Sequence, residues 1–294
     1  MNNQYLKTTL NINATALTFD LTNTTKNLEL RNGIWFSRKS SSLSYPDIGY
    51  DVCFEIEENS FWFAHRNKCI IETVKNFSPG GTVFDVGGGN GYVACGLEKA
   101  GIKTVLVEPG LKGVLNAQKR GLTNIICSTI EDAQLQPDSL DAVGIFDVLE
   151  HIEDDLAFLN KLNNYLAPGN MLYISVPAYP FLWSEEDVEA DHFRRYTLNT
   201  IENLLKKAGF KITYSTYIFS ILPLPIYFFR TLPTKLRLRK KTDIFKKHKK
   251  IHASNKGVVN NMLEKVLSWE LKKIHNKEKI NFGGSCLVVA AKIR

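Results

Sequence analysis

Short apolar runs alternate with amphipathic stretches along most of this 294-residue chain. The apolar runs predict seven buried strands, at residues 83–86, 104–107, 125–127, 142–146, 171–177, 210–216 and 284–291. Between them, apolar residues recur at helical spacing, and helices are predicted to end at glycines such as Gly101 and Gly121. Regular alternation of strand and helix predicts a parallel sheet covered by helices on both faces, which is the doubly wound α/β class.

The regions around this core divide the chain into four predicted segments. Residues 1–58 form an N-terminal extension that caps the core, with a hairpin predicted at 29–36. The core spans 59–216 and opens with a helix that Asn59 or Ser60 can cap. Residues 217–282 are an insertion before the last core strand, which lies in 283–294.

The net charge of +7 is concentrated in one part of the insertion. Residues 230–256 contain eleven Lys/Arg and a single acid, Asp243, so the basicity says little about the core. The five cysteines form no C-x-x-C pair, which favours reduced thiols in a cytoplasmic protein and gives no zinc-binding pattern. The N-terminus has no basic and apolar signal segment, so we do not expect secretion.

The most informative stretch is Val83–Gly91, where an apolar strand runs into a glycine-rich turn. Glu108 follows Gly87 by twenty-one residues, at the end of the second predicted strand. Glycines allow the backbone to approach a ligand, and an acid at this strand's tip can accept ribose hydroxyls. The spacing is D-x-G-x-G-x-G from Asp85, whereas a dinucleotide-binding loop needs G-x-G-x-x-G. A nicotinamide-dependent dehydrogenase is therefore disfavoured.

This loop resembles motif I of the class I S-adenosylmethionine-dependent methyltransferases, in their small-molecule, methyltransferase type 11/12-like branch. Residues 146–151 resemble motif IV of the same family, and 167–170 resemble the turn before its fifth strand, with Asn170 in place of a common glycine. The resemblance implies a Rossmann-like seven-stranded sheet whose last strand is antiparallel and lies beside the sixth. It also implies S-adenosylmethionine as the cofactor and S-adenosylhomocysteine as the product.

By resemblance, the glycine loop lies under the cofactor's methionine and ribose, and Asn90 adds backbone donors near its carboxylate. Asp85 is expected near the cofactor's ammonium group and Glu108 at its ribose hydroxyls. Trp62 and Arg66 would cover the cofactor; alternatively, Trp62 is core packing and Arg66 faces solvent. The full expected cofactor set is Trp62, Arg66, Asp85, Gly87, Gly89, Asn90, Gly91, Glu108, Pro109, Thr129, Ile130, Phe146 and Asp147.

Three residues are candidates for catalysis: Asp147, His151 and His192. Asp147, Glu150 and His151 resemble the metal-binding motif of some methyltransferases, but metal-free members carry the same residues, and we expect no metal. His192 could act as a general base, because its ordinary pKa is near neutral. The segment 191–197 could instead be a lid.

The neighbouring Arg194 and Arg195 have two interpretations. They could hold an anionic group of the acceptor, or they could pair with acids of the chain. The candidate acids are Glu185, Glu186 and Asp187.

The insertion begins with an apolar stretch, 217–229, that is interrupted by Pro223 and Pro225 and followed by the basic run. It is too short and too broken to span a bilayer. Residues 217–256 could lie at a membrane surface, or they could form a lid followed by a solvated basic loop. No recognisable RNA-binding module accompanies the basic run, so we do not expect a nucleic-acid partner.

We therefore expect a methyltransferase that acts on oxygen, nitrogen or carbon of a small-molecule or lipid-linked acceptor. The alternatives are a non-catalytic S-adenosylmethionine-binding partner or adaptor protein, and an RNA methyltransferase. The expected location is the cytoplasm, with peripheral contact at the inner membrane face left open.

Overall fold

One nine-stranded sheet organises the protein in a computed structural model that describes residues 25, 27–38, 47–236 and 258–293. The strand order is β1-β2-β5-β4-β3-β6-β7-β9-β8. The strands are β1 Leu28–Arg31, β2 Ile34–Ser37, β3 Val83–Val86, β4 Thr104–Val107, β5 Ile125–Cys127, β6 Leu140–Phe146, β7 Leu166–Pro177, β8 Phe210–Ile218 and β9 Ser285–Lys292.

Helices cover both faces of the sheet. They are α1 Asp47–Glu57, α2 Phe61–Asn76, α3 Tyr92–Lys99, α4 Leu111–Lys119, α5 Asp155–Tyr165, α6 Glu185–Glu189, α7 Leu198–Lys207, α8 Pro223–Ile226, α9 Leu232–Lys235 and α10 Val258–His275. Short 3₁₀ turns lie at Leu149–His151 and Pro180–Leu182, and a π-helical turn at Tyr227–Thr231 joins α8 to α9. All residues of β3 and β4 are buried, as expected for central strands with a helical layer on each side.

The seven core strands have the expected arrangement. The central strands β3, β4, β5, β6 and β7 are parallel, and β9 is antiparallel to both of its neighbours, β7 and β8. Pro177 and Ile218 both pair with Ser285, so β7 and β8 end at the same edge of the sheet. This is also the edge where β3, β4 and β6 end, and ligands bind at that carboxyl edge in open α/β sheets.

The expected count of seven strands is wrong, because the predicted hairpin adds two more. Strand β2 pairs in parallel with β5, with Trp35 opposite Ile126. Ile34 and Trp35 are 2% and 9% exposed, so burial of these two side chains favours the attachment. The hairpin also covers the edge of β5, whose backbone groups would otherwise be unpaired.

The insertion contributes two packed pieces, although its basic residues 237–256 lie outside the described residues. Residues 223–235 form one continuous helical segment, which we call the outer helix. Helix α10 packs on α2, where buried Glu270 lies 2.9 Å from Nε2 of buried His65. Among the helices described, none combines the length and apolarity needed to cross a bilayer.

Candidate active site

The glycine loop between β3 and α3 lies at the carboxyl edge of the sheet. Gly87, Gly89 and Gly91 have φ values of +73°, +55° and +71°, a region that side chains with a Cβ rarely adopt. A Cβ on Gly89 would meet no atom within 4 Å, so space is open above the loop at that point. Gly91 instead packs against α4, where a Cβ would lie 2.8 Å from that of Ala117.

Asp85 lies buried beneath this loop. Its side chain is 1% exposed, and neither carboxylate oxygen is hydrogen-bonded within the part of the chain that the structure describes. Burial raises the pKa of Asp85 to about 7, against the opposing effects of Arg66 and of the nearby backbone amide of Ala94. An unpartnered buried carboxylate is costly, so its presence here indicates a place for a cationic or hydrogen-bond-donating ligand.

Glu108 follows β4 directly, and its carboxylate is held by three donors. Oε1 accepts hydrogen bonds from the Tyr50 hydroxyl (2.8 Å) and the backbone amide of Gly110 (2.7 Å). Oε2 accepts one from the backbone amide of Gly89 (2.8 Å). Burial raises the pKa of Glu108, and these hydrogen bonds act in the opposite direction. Because a carboxylate accepts about four hydrogen bonds, capacity remains for a ligand hydroxyl.

Tyr50, on α1, is a site residue that the sequence analysis missed. Its ring fills the space left by two glycines: a Cβ on Gly110 would lie 2.2 Å from the Tyr50 hydroxyl, and one on Gly113 would lie 2.8 Å from its ring. Gly113 is inside α4, where glycine is unfavourable by about 1 kcal/mol relative to alanine. That unexplained helical glycine is the one sequence signal that could have indicated a close neighbour.

The Asn90 side chain faces away from the open loop. Its amide donates to the backbone carbonyl of Tyr50 (2.9 Å), and its oxygen accepts from Asn116 (3.0 Å). Arg120 donates to the Asn90 carbonyl at 2.8 Å. These contacts fix the loop to α1 and α4. Only the backbone of Asn90 therefore remains for the expected contact with the cofactor's carboxylate.

Three residues of the expected cofactor set, Pro109, Thr129 and Ile130, line one cavity of about 330 Å³. Pro109 lies on one side, and Thr129 and Ile130 follow β5 on the other. Val86 and Gly87 also line it, which connects the cavity to the glycine loop. Its walls are mostly apolar, as ligand pockets generally are.

Arg66 is neither free in solvent nor directed at open space. Its side chain is 7% exposed; Nε lies 2.5 Å from Oδ2 of Asp147, and Nη2 donates to the Phe146 carbonyl at 2.7 Å. The alternative that placed Arg66 in solvent is therefore wrong. Trp62 stacks on Phe219 with ring centroids 5.6 Å apart, and the Arg66 guanidinium lies 5.4 Å from the Trp62 ring.

Asp147 holds a strained position at the tip of β6. Its φ is +57°, which is uncommon for a residue with a Cβ, and its Oδ1 accepts a hydrogen bond from Ser175 (3.1 Å). Such outliers concentrate at functional sites, because the surrounding structure must hold them. The Phe146 ring, in contrast, lies in the core over Gly144, so this expected cofactor residue presents only its backbone at the strand tip.

Glu150, His151 and His192 place potential ligand atoms within 4.8 Å of one another. Glu150 is 1% exposed and its Oε2 has no partner among the described residues; burial and the neighbouring Asp147 raise its pKa well above the ordinary value. Burial, together with His192, lowers the pKa of His151 to about 4. Carboxylate and imidazole groups suit borderline cations; the raised pKa of Glu150 favours its neutral form, whereas the lowered pKa of His151 favours the unprotonated imidazole that can bind a cation.

His192 is oriented by Asp187. The two residues are hydrogen-bonded through Nδ1 of His192 and Oδ1 of Asp187, which are 3.0 Å apart. Although burial acts in the opposite direction, hydrogen bonds from His192 and Arg195 lower the pKa of Asp187 to about 2. The carboxylate therefore accepts the Nδ1 proton, which leaves Nε2 of His192 as the acceptor nitrogen.

The two arginines of this segment have partners within the chain. Nε of Arg195 lies 2.7 Å from Asp187, which is one of the three acids expected to pair with it. Arg194 instead pairs with Asp155 of α5 at 2.6 Å, so the expectation of a nearby Glu185, Glu186 or Asp187 partner is wrong for this arginine.

The open glycine loop, the acid at the end of β4 and the antiparallel last strand define a nucleoside-binding methyltransferase fold. The family described as a methyltransferase domain matches residues 62–215, which is more than half of the chain. The protein belongs to this family. The expected methyltransferase class is therefore confirmed at the level of the family.

Two curated relatives match over part of their length. A ubiquinone biosynthesis O-methyltransferase of Xanthomonas campestris is 31% identical over 103 residues, covering 33% of this chain and 43% of the relative. A probable S-adenosylmethionine-dependent methyltransferase of Mycolicibacterium smegmatis is 24% identical over 160 residues, covering 53% and 62%. The chain thus spans about half the length of these relatives.

Two solved structures share the fold. The plantazolicin methyltransferase BamL, in complex with a triazolic desmethylPZN analog and SAH, has a TM-score of 0.53 at 17% identity, covering 85% of this chain and 92% of its own. Phosphoethanolamine N-methyltransferase 2 of Haemonchus contortus, with S-adenosyl-L-methionine, has a TM-score of 0.52 at 19% identity, covering 88% and 62%. The expected Rossmann-like architecture is confirmed.

Proposed function

We propose that this protein transfers the methyl group of S-adenosylmethionine to a small-molecule or lipid-linked acceptor. The observation that carries the proposal is the unpartnered Asp85 carboxylate beneath the open glycine loop, beside Glu108. In a domain of this family, those groups are complementary to the ammonium and the ribose of the cofactor.

The cofactor contacts divide among three parts of the site. Asp85 would accept a hydrogen bond from the ammonium group, whose charge also favours the ionised carboxylate. Glu108 would accept a ribose hydroxyl while Tyr50 and the amide of Gly89 hold it in place. The apolar cavity beside Thr129 and Ile130 has the size and lining for an adenine ring.

When bound, S-adenosylmethionine supplies a methyl group on a positively charged sulfur, which is a good leaving group. The chain's contribution is then alignment of the acceptor, exclusion of water and removal of a proton. His192 is the candidate base, because its Nε2 is the acceptor nitrogen and Asp187 stabilises the imidazolium that protonation creates. Asp187 is a positioning residue in this scheme.

An aromatic cluster supports an acceptor with apolar or ring-containing parts. Tyr179 follows β7 and stacks on Tyr217 at 5.0 Å, and its ring also lies 5.3 Å from Phe282 and 5.2 Å from Phe181. These residues lie at the carboxyl edge, beyond the end of β7. The name of the Xanthomonas relative, a ubiquinone biosynthesis O-methyltransferase, supports a small molecule methylated on oxygen as the first class to test.

The proposal is tested first by calorimetric titration with S-adenosylmethionine, S-adenosylhomocysteine and NADH in parallel. We expect binding of the first two and none of NADH. Formation of S-adenosylhomocysteine is then followed with phenolic, amine and lipid-linked acceptors. Cofactor binding without turnover on any acceptor would favour a non-catalytic partner protein, and turnover on RNA alone would contradict the small-molecule assignment.

A further inference from the structure

The outer helix, residues 223–235, has its polar side inward. Thr231 is fully buried, and its hydroxyl donates to the Leu182 carbonyl at 2.9 Å. Arg230 pairs with Glu186 of α6 at 2.6 Å. The hydroxyl of Thr234 accepts from the backbone amide of Glu185 at 3.4 Å. These polar contacts fix the outer helix to the protein together with the buried Pro223 and the half-buried Ile226.

Its outward side is apolar. Leu224 is 63% exposed, Phe228 56%, Phe229 76%, and Leu236, directly after the helix, 56%. Lys235 is the one charged residue among the exposed positions of this described segment. A helix on the surface of a globular protein normally has the opposite orientation, with its apolar face toward the core. Contiguous exposed apolar side chains generally mark an interaction surface.

The chain that continues from Leu236 is strongly basic in sequence. Residues 237–256 contain nine Lys/Arg and one acid, which gives a charge of +8. Since the whole chain carries +7, all other residues together sum to about −1. In the sequence, the exposed apolar residues are therefore followed directly by nearly the whole excess positive charge of the protein. That charge opposes association of this face with a second copy of itself, because two basic segments would be brought together.

We propose that the outer helix docks on an anionic lipid bilayer. Leu224, Phe228, Phe229 and Leu236 would lie at the boundary between headgroups and acyl chains, and the adjacent basic charge would be attracted to anionic headgroups. This combination of an apolar face and neighbouring cations is the one that binds helices parallel to a membrane surface. Docking itself does not depend on the proposed methyl transfer.

Docking would place next to the membrane the side of the site where the acceptor is proposed to bind. The outer helix contacts Glu185 and Glu186, and α6 also carries Asp187, the partner of His192. Tyr227 of the outer helix lies 6.3 Å from Phe181 of the aromatic cluster. A lipid-linked acceptor could thus reach the pocket from the bilayer, a consequence that rests on the proposed function.

The test uses flotation of the full chain with vesicles of phosphatidylcholine alone and with one quarter phosphatidylglycerol. We expect binding to the anionic vesicles and weak binding to the neutral ones. The double variant Phe228→Ser/Phe229→Ser should lower the partition coefficient by about a hundredfold, because burial of each phenylalanine contributes about tenfold or more. Ile293→Ser, which removes a residue of similar exposure (56%) elsewhere, should have no effect.

Several results would overturn docking by the outer helix. One is the absence of vesicle binding. A second is vesicle binding that is unchanged in the double phenylalanine variant but lost in Lys240→Glu/Lys241→Glu. That pair of results would indicate that binding depends on charge alone. A third is a lipid-free dimer that the phenylalanine substitutions dissociate, because a second copy would then occupy the surface.

Cofactor titration separates this inference from the proposed function. The phenylalanine variant should bind S-adenosylmethionine like the unmodified chain, since neither residue touches the glycine loop. Turnover without vesicle binding would contradict only the docking. Vesicle binding without turnover would contradict only the methyl transfer.

Discussion

Replacement of Asp85 by asparagine should stabilise the protein at pH 8 while weakening its binding of S-adenosylmethionine. Burial raises the pKa of Asp85 from 3.8 to about 7, so folding at high pH carries the cost of an ionised, unpartnered carboxylate. The difference between those values corresponds to about 4 kcal/mol. Well below pH 4 the carboxyl is neutral in both the folded and unfolded states, and the cost disappears.

The sign follows from proton binding. Between pH 4 and pH 7 the folded state holds a proton on Asp85 that the unfolded state releases, so the stability contributed by this group falls as the pH rises. Asparagine cannot ionise, so its advantage should grow over the same window and reach a few kcal/mol at pH 8. The amide also has no negative charge for the cofactor's ammonium group.

Urea unfolding of the cofactor-free protein at pH 4.5 and pH 8 measures the effect, and calorimetry measures the affinity for S-adenosylmethionine. The control is Asp51→Asn, whose carboxylate is 55% exposed and pairs with Lys112 at 3.2 Å. It should change the stability by less than about 1 kcal/mol at either pH. An Asp85→Asn protein that is equally or less stable at pH 8 would refute the reasoning about burial, and unchanged cofactor affinity would refute the ammonium contact.

Three further perturbations test other parts of the site. Glu108→Ala should weaken S-adenosylmethionine binding by about 1.5–3 kcal/mol, because hydrogen bonds to a charged group are lost; equal affinity in calorimetry would contradict the ribose contact. His192→Ala should lower turnover by about 10²–10⁴-fold with cofactor affinity unchanged, and undiminished turnover would exclude a base role. Glu270→Ala should destabilise the fold by about 3–5 kcal/mol in urea unfolding, since His65 and the amides of Phe219 and Ser220 lose their acceptor. The exposed Glu264 on the same helix provides the control for Glu270, and an equal effect of Glu264→Ala would contradict that account.

The local parts of the site were predictable because neighbouring residues encode them. The strand into Gly87, the glycine spacing and the position of Glu108 depend on short stretches whose geometry is set by backbone sterics. The capped start of α2 at Ser60 was predictable for the same reason. The partners of these residues were not. Tyr50 contacts Glu108 from 58 residues away, and no periodicity encodes that contact.

Long-range pairing also decided the state of several charged groups. Arg66 was expected at the cofactor or in solvent; it is buried and pairs with Asp147 across 81 positions of the chain, which excludes only the solvent alternative. The low pKa of Asp187 depends on the turn that brings His192 and Arg195 around it. Burial and the distances between charges set such pKa values, and both exist only after the chain has folded.

By itself, the sequence determined the doubly wound core, the antiparallel last strand, the methyltransferase family and the edge of the sheet where the candidate site lies. Those features follow from hydrophobic periodicity and from glycines at fixed spacing, which act over a few residues. Only the tertiary structure decided that the hairpin extends the sheet to nine strands, that Asp85 has no hydrogen-bond partner within the described part of the chain, and that the outer helix presents Phe228 and Phe229 to the outside. These properties depend on which surfaces remain uncovered after all elements have packed, and no local pattern specifies that.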